Sequence, residues 1–230
     1  MSGGIDYRVR RSGRARHARV VVSPEGQVEV VLPRRMALRH AEPLVAEKRR
    51  WIERTLRRFE AARAAAPVRL EDRGIVPYLG QELTLRVRVD PGRSRAHVTR
   101  RGEALEVSVA TAGPQPLRDA LERWYRREAR AEVEPRLDAA TRRAGRSYRA
   151  LSIRAQRTRW ASCSSSGAMS FNWRLLLAPL PILDYVVEHE VAHLEVPDHS
   201  ARFWALVERR CPDYRDHERW LRRHGASLRL

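Results

Sequence analysis

The sequence predicts an α+β fold: a small, basic, β-rich N-terminal domain with one long helix over residues 1–112, and a helix-dominated second domain over 113–230. Three observations lead there. Short runs of Val, Leu, Ile and Thr between Ala18 and Val109 alternate with polar residues and are parted by Pro and Gly, the pattern of half-buried strands. Two longer stretches instead carry apolar residues at helical intervals. A third, shorter apolar helix holds the string His-Glu-x-x-His at 189–193.

In chain order, Ala18–Val22 and Val28–Leu32 flank the turn formers Pro24, Glu25 and Gly26 and read as a β-hairpin. Beyond Pro33, Leu44, Val45, Lys48, Trp51, Ile52, Thr55, Leu56 and Phe59 fall at helical intervals along one face of a long helix with arginines opposite, and Pro67 ends it. Strands follow at Glu82–Val89, His97–Thr99 and Ala104–Val109, parted by Asp90-Pro91-Gly92 and Arg101-Gly102. The stretch TAGPQP, residues 111 to 116, is the expected domain boundary. A helix over Leu117–Ala144 has Leu121, Trp124, Tyr125, Ala129, Val133, Leu137 and Ala140 as its stripe, with Pro135 expected to kink or divide it. After it come a strand at Tyr148–Ile153, a hydroxyl-rich loop QRTRWASCSSSG and a strand over Met169–Leu176. Asp184 precedes a third helix that Pro197 stops, Ser200 is placed to cap a fourth through Arg210, and Asp213–His224 supplies a fifth.

The chain has 230 residues and 43% hydrophobic content, enough to bury a core. No window approaches the ~18 apolar residues of a membrane span, so no membrane partner is expected. The N-terminus carries charges where an export signal needs its apolar segment. With only Cys163 and Cys211 available, no disulfide framework forms, and a reducing cytoplasm is the expected compartment. The net charge of +18 and pI near 11.4 come from arginines dispersed from Arg8 to Arg229. They favour non-specific contact with nucleic acid through the basic surface.

The chemistry concentrates in EHEVAHLEVPDH, residues 188 to 199. On a helix, His189 and His193 lie one turn apart on one face, so both imidazoles can reach a single Zn²⁺. Glu190 stands beside them as general base for a metal-activated water. A catalytic site wants a third protein ligand and an open position. His199, after the break at Pro197, is preferred over Glu195, Asp198, Glu208 and His217. The site is therefore read as His189, His193 and His199 holding one zinc per chain, with Glu190 catalytic. The helix around it is apolar, so buried polar groups there need a partner. The histidine spacing resembles that of metzincins, but Val196 stands at the glycine position. Met1, Met36 and Met169, the three methionines, all precede the motif.

Three segments, RTRWASCSSSGAMSFNWRLLLAP (157 to 179), DYVVEHEVAHL (184 to 194) and DHSARFWALV (198 to 207), together resemble the YgjP-like metallopeptidases. That family is grouped with SprT-like and related minimal zincins. The likeness extends to AEKRRWI (46 to 52) and LRDALERWYRREA in the helix that follows 116. Ala161 stands where the family's W-G-S-C has glycine. The resemblance implies a minimal zincin-type catalytic domain, a zinc cofactor and a protein or peptide substrate. It also implies a strand around Met169–Trp173 lying along the cleft and pairing with an extended substrate, with Trp160, Ser162 and Cys163 nearby. Phe203 and Trp204 are read as scaffold, and Cys163 has no dedicated base that would make it a nucleophile.

Asp184, Glu188 and Asp198 are candidates to orient a ligating imidazole, and Arg157, Arg159, Tyr185 and His217 to stabilise an oxyanion; spacing does not separate them. Two other functions stay open at this point: a zinc-dependent nucleotide phosphohydrolase, and a basic nucleic-acid-binding protein whose zinc is structural.

Overall fold

A computed structural model of the chain describes residues 4–13, 15–23, 26–64, 68–156 and 158–230. The turn residues Pro24 and Glu25, the helix terminator Pro67 and the candidate Arg157 lie outside the described residues. Contacts divide the chain into two units, Met1–Ala66 and Pro67–Leu230, each mixing sheet and helix.

In the first unit, strands β2 (Arg19–Val22) and β3 (Val28–Pro33) pair antiparallel. Ser23 and Gly26 close their turn, with Gly26 at φ 87° donating its N–H to the Ser23 carbonyl at 2.9 Å. A third strand, β1 (Arg8–Ser12), joins the other side of β3 in parallel. Its sequence RVRRS, with three arginines, carries little of the apolar alternation that marks a half-buried strand. Val22, Val28, Val30 and Leu32 face helix α1 (Ala41–Ala64), whose Val45 and Ile52, with Leu56 and Phe59, complete this core.

The second unit opens on a four-stranded sheet in the order β4-β5-β7-β6, from β4 (Ile75–Tyr78), β5 (Gln81–Val89), β6 (His97–Arg101) and β7 (Ala104–Val109). Strand β4 is not among the expected strands, and it contains Pro77. At an edge the missing N–H faces away from the ladder, and β4 is an edge strand. Its turn into β5 uses Leu79 and Gly80, both at positive φ, the I′-like geometry that joins paired strands tightly.

Helix α2 (Pro114–Arg143) runs 30 residues without a break. Pro135 neither divides it nor ends it; the residue is exposed, so its ring and its missing N–H fall on the solvent side. The N-terminal part of α2, Leu117 to Ala129, packs on the four-stranded sheet. Its C-terminal part, with Val133, Leu137 and Ala140, packs into a second cluster around helix α3. Tyr125 Oη donates to the Pro77 carbonyl at 2.5 Å and Tyr78 Oη to Glu132 at 3.0 Å. For these reasons the contact division falls at 66/67 and not at the expected 112/113: TAGPQP leads straight into the helix that covers the strands before it.

A second, three-stranded sheet has the order β8-β10-β9, from β8 (Ala150–Arg154), β9 (Ala161–Cys163) and β10 (Ala168–Asn172). The expected polar loop therefore contains a strand. Its hydroxyls hold the turn back to β10: Ser164 Oγ accepts from the Ala168 N–H at 2.9 Å and lies 3.0 Å from Ser166 Oγ. β10 stops at Asn172, short of the expected Leu176, because the Asn172 side chain accepts from Arg174 N–H and starts a buried 3₁₀ turn over Trp173–Leu177. Helix α3 (Leu180–Ala192) begins four residues before Asp184, since Pro181 falls in the first helical turn, where its lost N–H has no partner to lose. Helices α4 (Ala201–Arg210) and α5 (Tyr214–His224) follow as expected. Ser200 sits at the N-cap of α4, but its hydroxyl makes no capping bond; its N–H instead donates to Asp198 Oδ1 at 3.0 Å. No helix among the described residues is long and apolar enough to cross a membrane.

Candidate metal centre

His189 and Glu190 lie in the last turn of α3, and His193 is its C-cap. The helix ends before Pro197 because its final bonds tighten. The N–H groups of His193, Leu194 and Glu195 reach the carbonyls three residues back, at 3.2, 3.1 and 3.1 Å. This curled exit returns the Val196 carbonyl to His193, whose Nδ1–H donates to it at 3.2 Å. A carbonyl can only accept, so the proton sits on Nδ1 and Nε2 keeps its lone pair.

His199, on the link between α3 and α4, comes back to the same place. One ligand atom from each of His189, His193 and His199 lies within 4.8 Å of the others, and the Nε2 atoms of His189 and His199 are 3.2 Å apart. Two nitrogens each ~2.05 Å from a tetrahedral Zn²⁺ stand about 3.3 Å apart, so the donor set fits such an ion. Burial and the neighbouring imidazoles push His189 down to about 3, and burial lowers His193 as well. Both rings are then neutral near pH 7, the form that binds metal.

Glu190 is 6% exposed, and its Oε2 has no hydrogen-bond partner among the described residues. Burial raises its carboxyl to about 7, against the opposing pull of the Cys163 backbone N–H and the Arg159 charge. Cys163 itself is held as a thiol, raised by burial and by Glu190. The rival ligands are engaged elsewhere: Glu195 pairs with Arg210, Asp198 accepts from Ser200, Glu208 lies 3.9 Å from Arg215, and His217 Nδ1 lies 3.5 Å from Cys211 Sγ.

None of the three candidate orienting carboxylates has a hydrogen bond to one of the three imidazoles. Asp184 pairs with Arg136 at 3.0 Å, Glu188 with Arg143 at 2.5 Å, and Asp198 turns to its own helix start. His189 Nδ1 is buried with no acceptor among the described residues. Rings take that role. Phe203, fully buried on α4, stacks on His193 at 4.4 Å and meets His189 and His199 edge-on at 4.9 and 4.8 Å. Phe203 thus does more than clamp α4 to α3, and the Val196 carbonyl has no residue-type signature by which sequence could have found it. The only sequence signal for Phe203 is its place one helical turn after His199.

The expected substrate-pairing strand is corrected by the topology. β10 is the middle strand, with β8 parallel on one side and β9 antiparallel on the other, so its backbone is already paired. The sheet edge beside α3 is β9, whose Cys163 N–H favours the charged form of Glu190. Just before it, Trp160 packs into both hydrophobic clusters and closely against Gly225, where an added Cβ would come within 2.8 Å of the indole. Of the oxyanion candidates, Arg159 is exposed and acts on Glu190 through its charge, while Tyr185 is buried with its ring 5.9 Å from both His189 and His217.

A family model described as YgjP-like, metallopeptidase domain, matches residues 16–224. A solved structure titled as the metallopeptidase zymogen of Pyrococcus abyssi abylysin is 26% identical over 37% of this chain and 90% of that one, with a TM-score of 0.33. No curated protein matches the sequence.

Proposed function

From the premise that this chain belongs to the YgjP-like metallopeptidase family, we propose a zinc peptidase in which His189, His193 and His199 hold one Zn²⁺ and Glu190 is the general base. The observation that carries the reading is the convergence of three imidazoles, within 4.8 Å, beside a buried carboxylate with one oxygen unpartnered among the described residues. A bound zinc ion supplies a water acidified toward neutrality and polarises the scissile carbonyl. Glu190 takes the proton at Oε2 and returns it to the leaving amine. Burial around Glu190 favours its protonated form in the metal-free chain, and a carboxyl group that holds a proton readily is suited to return it to the leaving amine. The Nδ1–H bond to Val196 and the ring of Phe203 keep the imidazoles aimed. An extended protein or peptide substrate lies along the β9 edge, and the two free thiols suit a reducing, cytoplasmic setting.

The alternatives have less support. A structural zinc site is closed by four protein ligands, whereas the group found among the described residues has three. Phosphoryl transfer draws on carboxylate-rich or two-metal sites, and no carboxylate joins this group. The test is zinc content by elemental analysis on wild type, H193A and E190Q, with casein and labelled-peptide cleavage alongside. Wild type should carry about one zinc per chain, H193A should lose it, and E190Q should keep the metal and lose cleavage. Zinc-loaded E190Q that cleaves as wild type does would sink the assignment.

A further inference from the structure

We propose that the outward face of α1 docks single-stranded nucleic acid, using Arg50, Arg54 and Arg57 on phosphates and Trp51 as a stacking platform for a base. Charge is not evenly spread over the chain. Residues 1–66 hold 16 of the 46 Lys and Arg but only 7 of the 28 Asp and Glu, so half of the net +18 falls on less than a third of the sequence.

On α1, Val45, Ile52, Thr55, Leu56 and Phe59 face the sheet of their own unit, which turns Arg50, Arg54 and Arg57 outward at i, i+4 and i+7. All three are exposed, and none has an acidic partner among the described residues. The helix's acids do not neutralise this stripe: Glu47 is held by Lys48 at 2.7 Å, Glu53 by Arg49 at 2.9 Å, Glu42 lies in the first turn, and Glu60 makes no ion pair among the described residues. Like charges one turn apart repel, so the stripe is a surface that a polyanion relieves.

Trp51 decides which polyanion. Expected on the apolar face of the helix, it is instead 41% exposed, one turn from Arg54, and has no aromatic partner among the described residues. An acidic protein would use the arginines and leave the indole idle, and a duplex keeps its base faces stacked away from it. A single strand offers both, phosphates at intervals and free base faces, and aromatic stacking within a positive surface is how such strands are held without sequence preference.

The full chain is titrated into fluorescein-labelled dT20 by fluorescence anisotropy at several salt concentrations. For three phosphate contacts, R50A/R54A/R57A should lower the slope of log K against log salt by about 2. W51A should weaken binding roughly 5- to 100-fold with the slope kept, and W51F should restore most of it. Alanine is the strongest helix former, so these exposed changes leave α1 intact, and peptide cleavage should match wild type. The proposal is overturned if either alanine variant binds dT20 as wild type does. It is equally overturned if a 20-base-pair duplex binds as tightly, or if polyglutamate of equal charge competes as well as unlabelled dT20.

Discussion

Glu190 holds its carboxyl in a place that favours the proton, and this has a measurable sign. Its folded value of about 7 stands above the unfolded 4.5. Between those pH values the folded protein therefore binds more protons than the unfolded one, and stability falls as pH rises through that window. At ~1.36 kcal/mol per unit the loss is at most ~3 kcal/mol. In metal-free protein, E190Q should then melt above wild type at pH 8, with the gap closing by pH 4.5; a gap independent of pH would refute this. His189 works in the opposite sense. Its value is depressed to about 3, so the stability it contributes is present above ~6.5 and lost as pH falls toward 3. For Phe203, whose ring touches all three imidazoles, F203A should weaken zinc affinity by ~10- to 100-fold and alter the visible spectrum of the cobalt-substituted protein. An unchanged spectrum with only a lower melting temperature would reduce Phe203 to packing. His189 and His193 were legible in sequence because helical spacing puts them on one face, Glu190 because it stands beside them in the HExxH string, and His199 because it follows the break at Pro197. What aims them was not, because a carbonyl returned by a tightened helix end and a ring four residues beyond His199 depend on how the chain exits α3.

At the scale of elements, the long amphipathic helices and the hairpin β2–β3 followed from periodicity, while the segments that differ from expectation are ones that hold prolines or hydroxyls inside regular structure. Pro77 is tolerated on an edge strand, Pro181 in a first helical turn, and Pro135 on the exposed side of α2. Ser164 and Ser166 hold a hairpin turn and do not mark a loop. Pro135 offers a direct check, because P135A gives the Ala131 carbonyl back its donor and removes the ring. It should stabilise the protein by ~1–3 kcal/mol, read as a raised denaturant midpoint; no change would mean that α2 is already relaxed around the proline. The link carrying His199 joins two helices and is exposed. Amide exchange over 197–200 should slow when zinc is added to chelator-treated protein and stay unchanged in H193A.

Across the whole molecule, the boundary expected at 112 followed a composition cue, Gly and Pro in TAGPQP, that marks only the approach to a helix. What joins its two sides is packing between residues distant in sequence, Leu117, Leu121, Trp124 and Tyr125 against β4, β5 and β7, which local patterns do not carry. The fragment 68–230 should unfold in one cooperative transition, whereas 113–230 should not, because it leaves that face of α2 bare. A sharp transition from 113–230 would restore the sequence boundary. The sharing of α2 by both clusters has a consequence for a peptidase in particular. Such a protein is itself a store of peptide bonds, and any part that opens by itself becomes bait for neighbouring copies. One rod running through both clusters ties the opening of one to the opening of the other, and residues 68–230 then offer little of their own backbone to neighbouring copies.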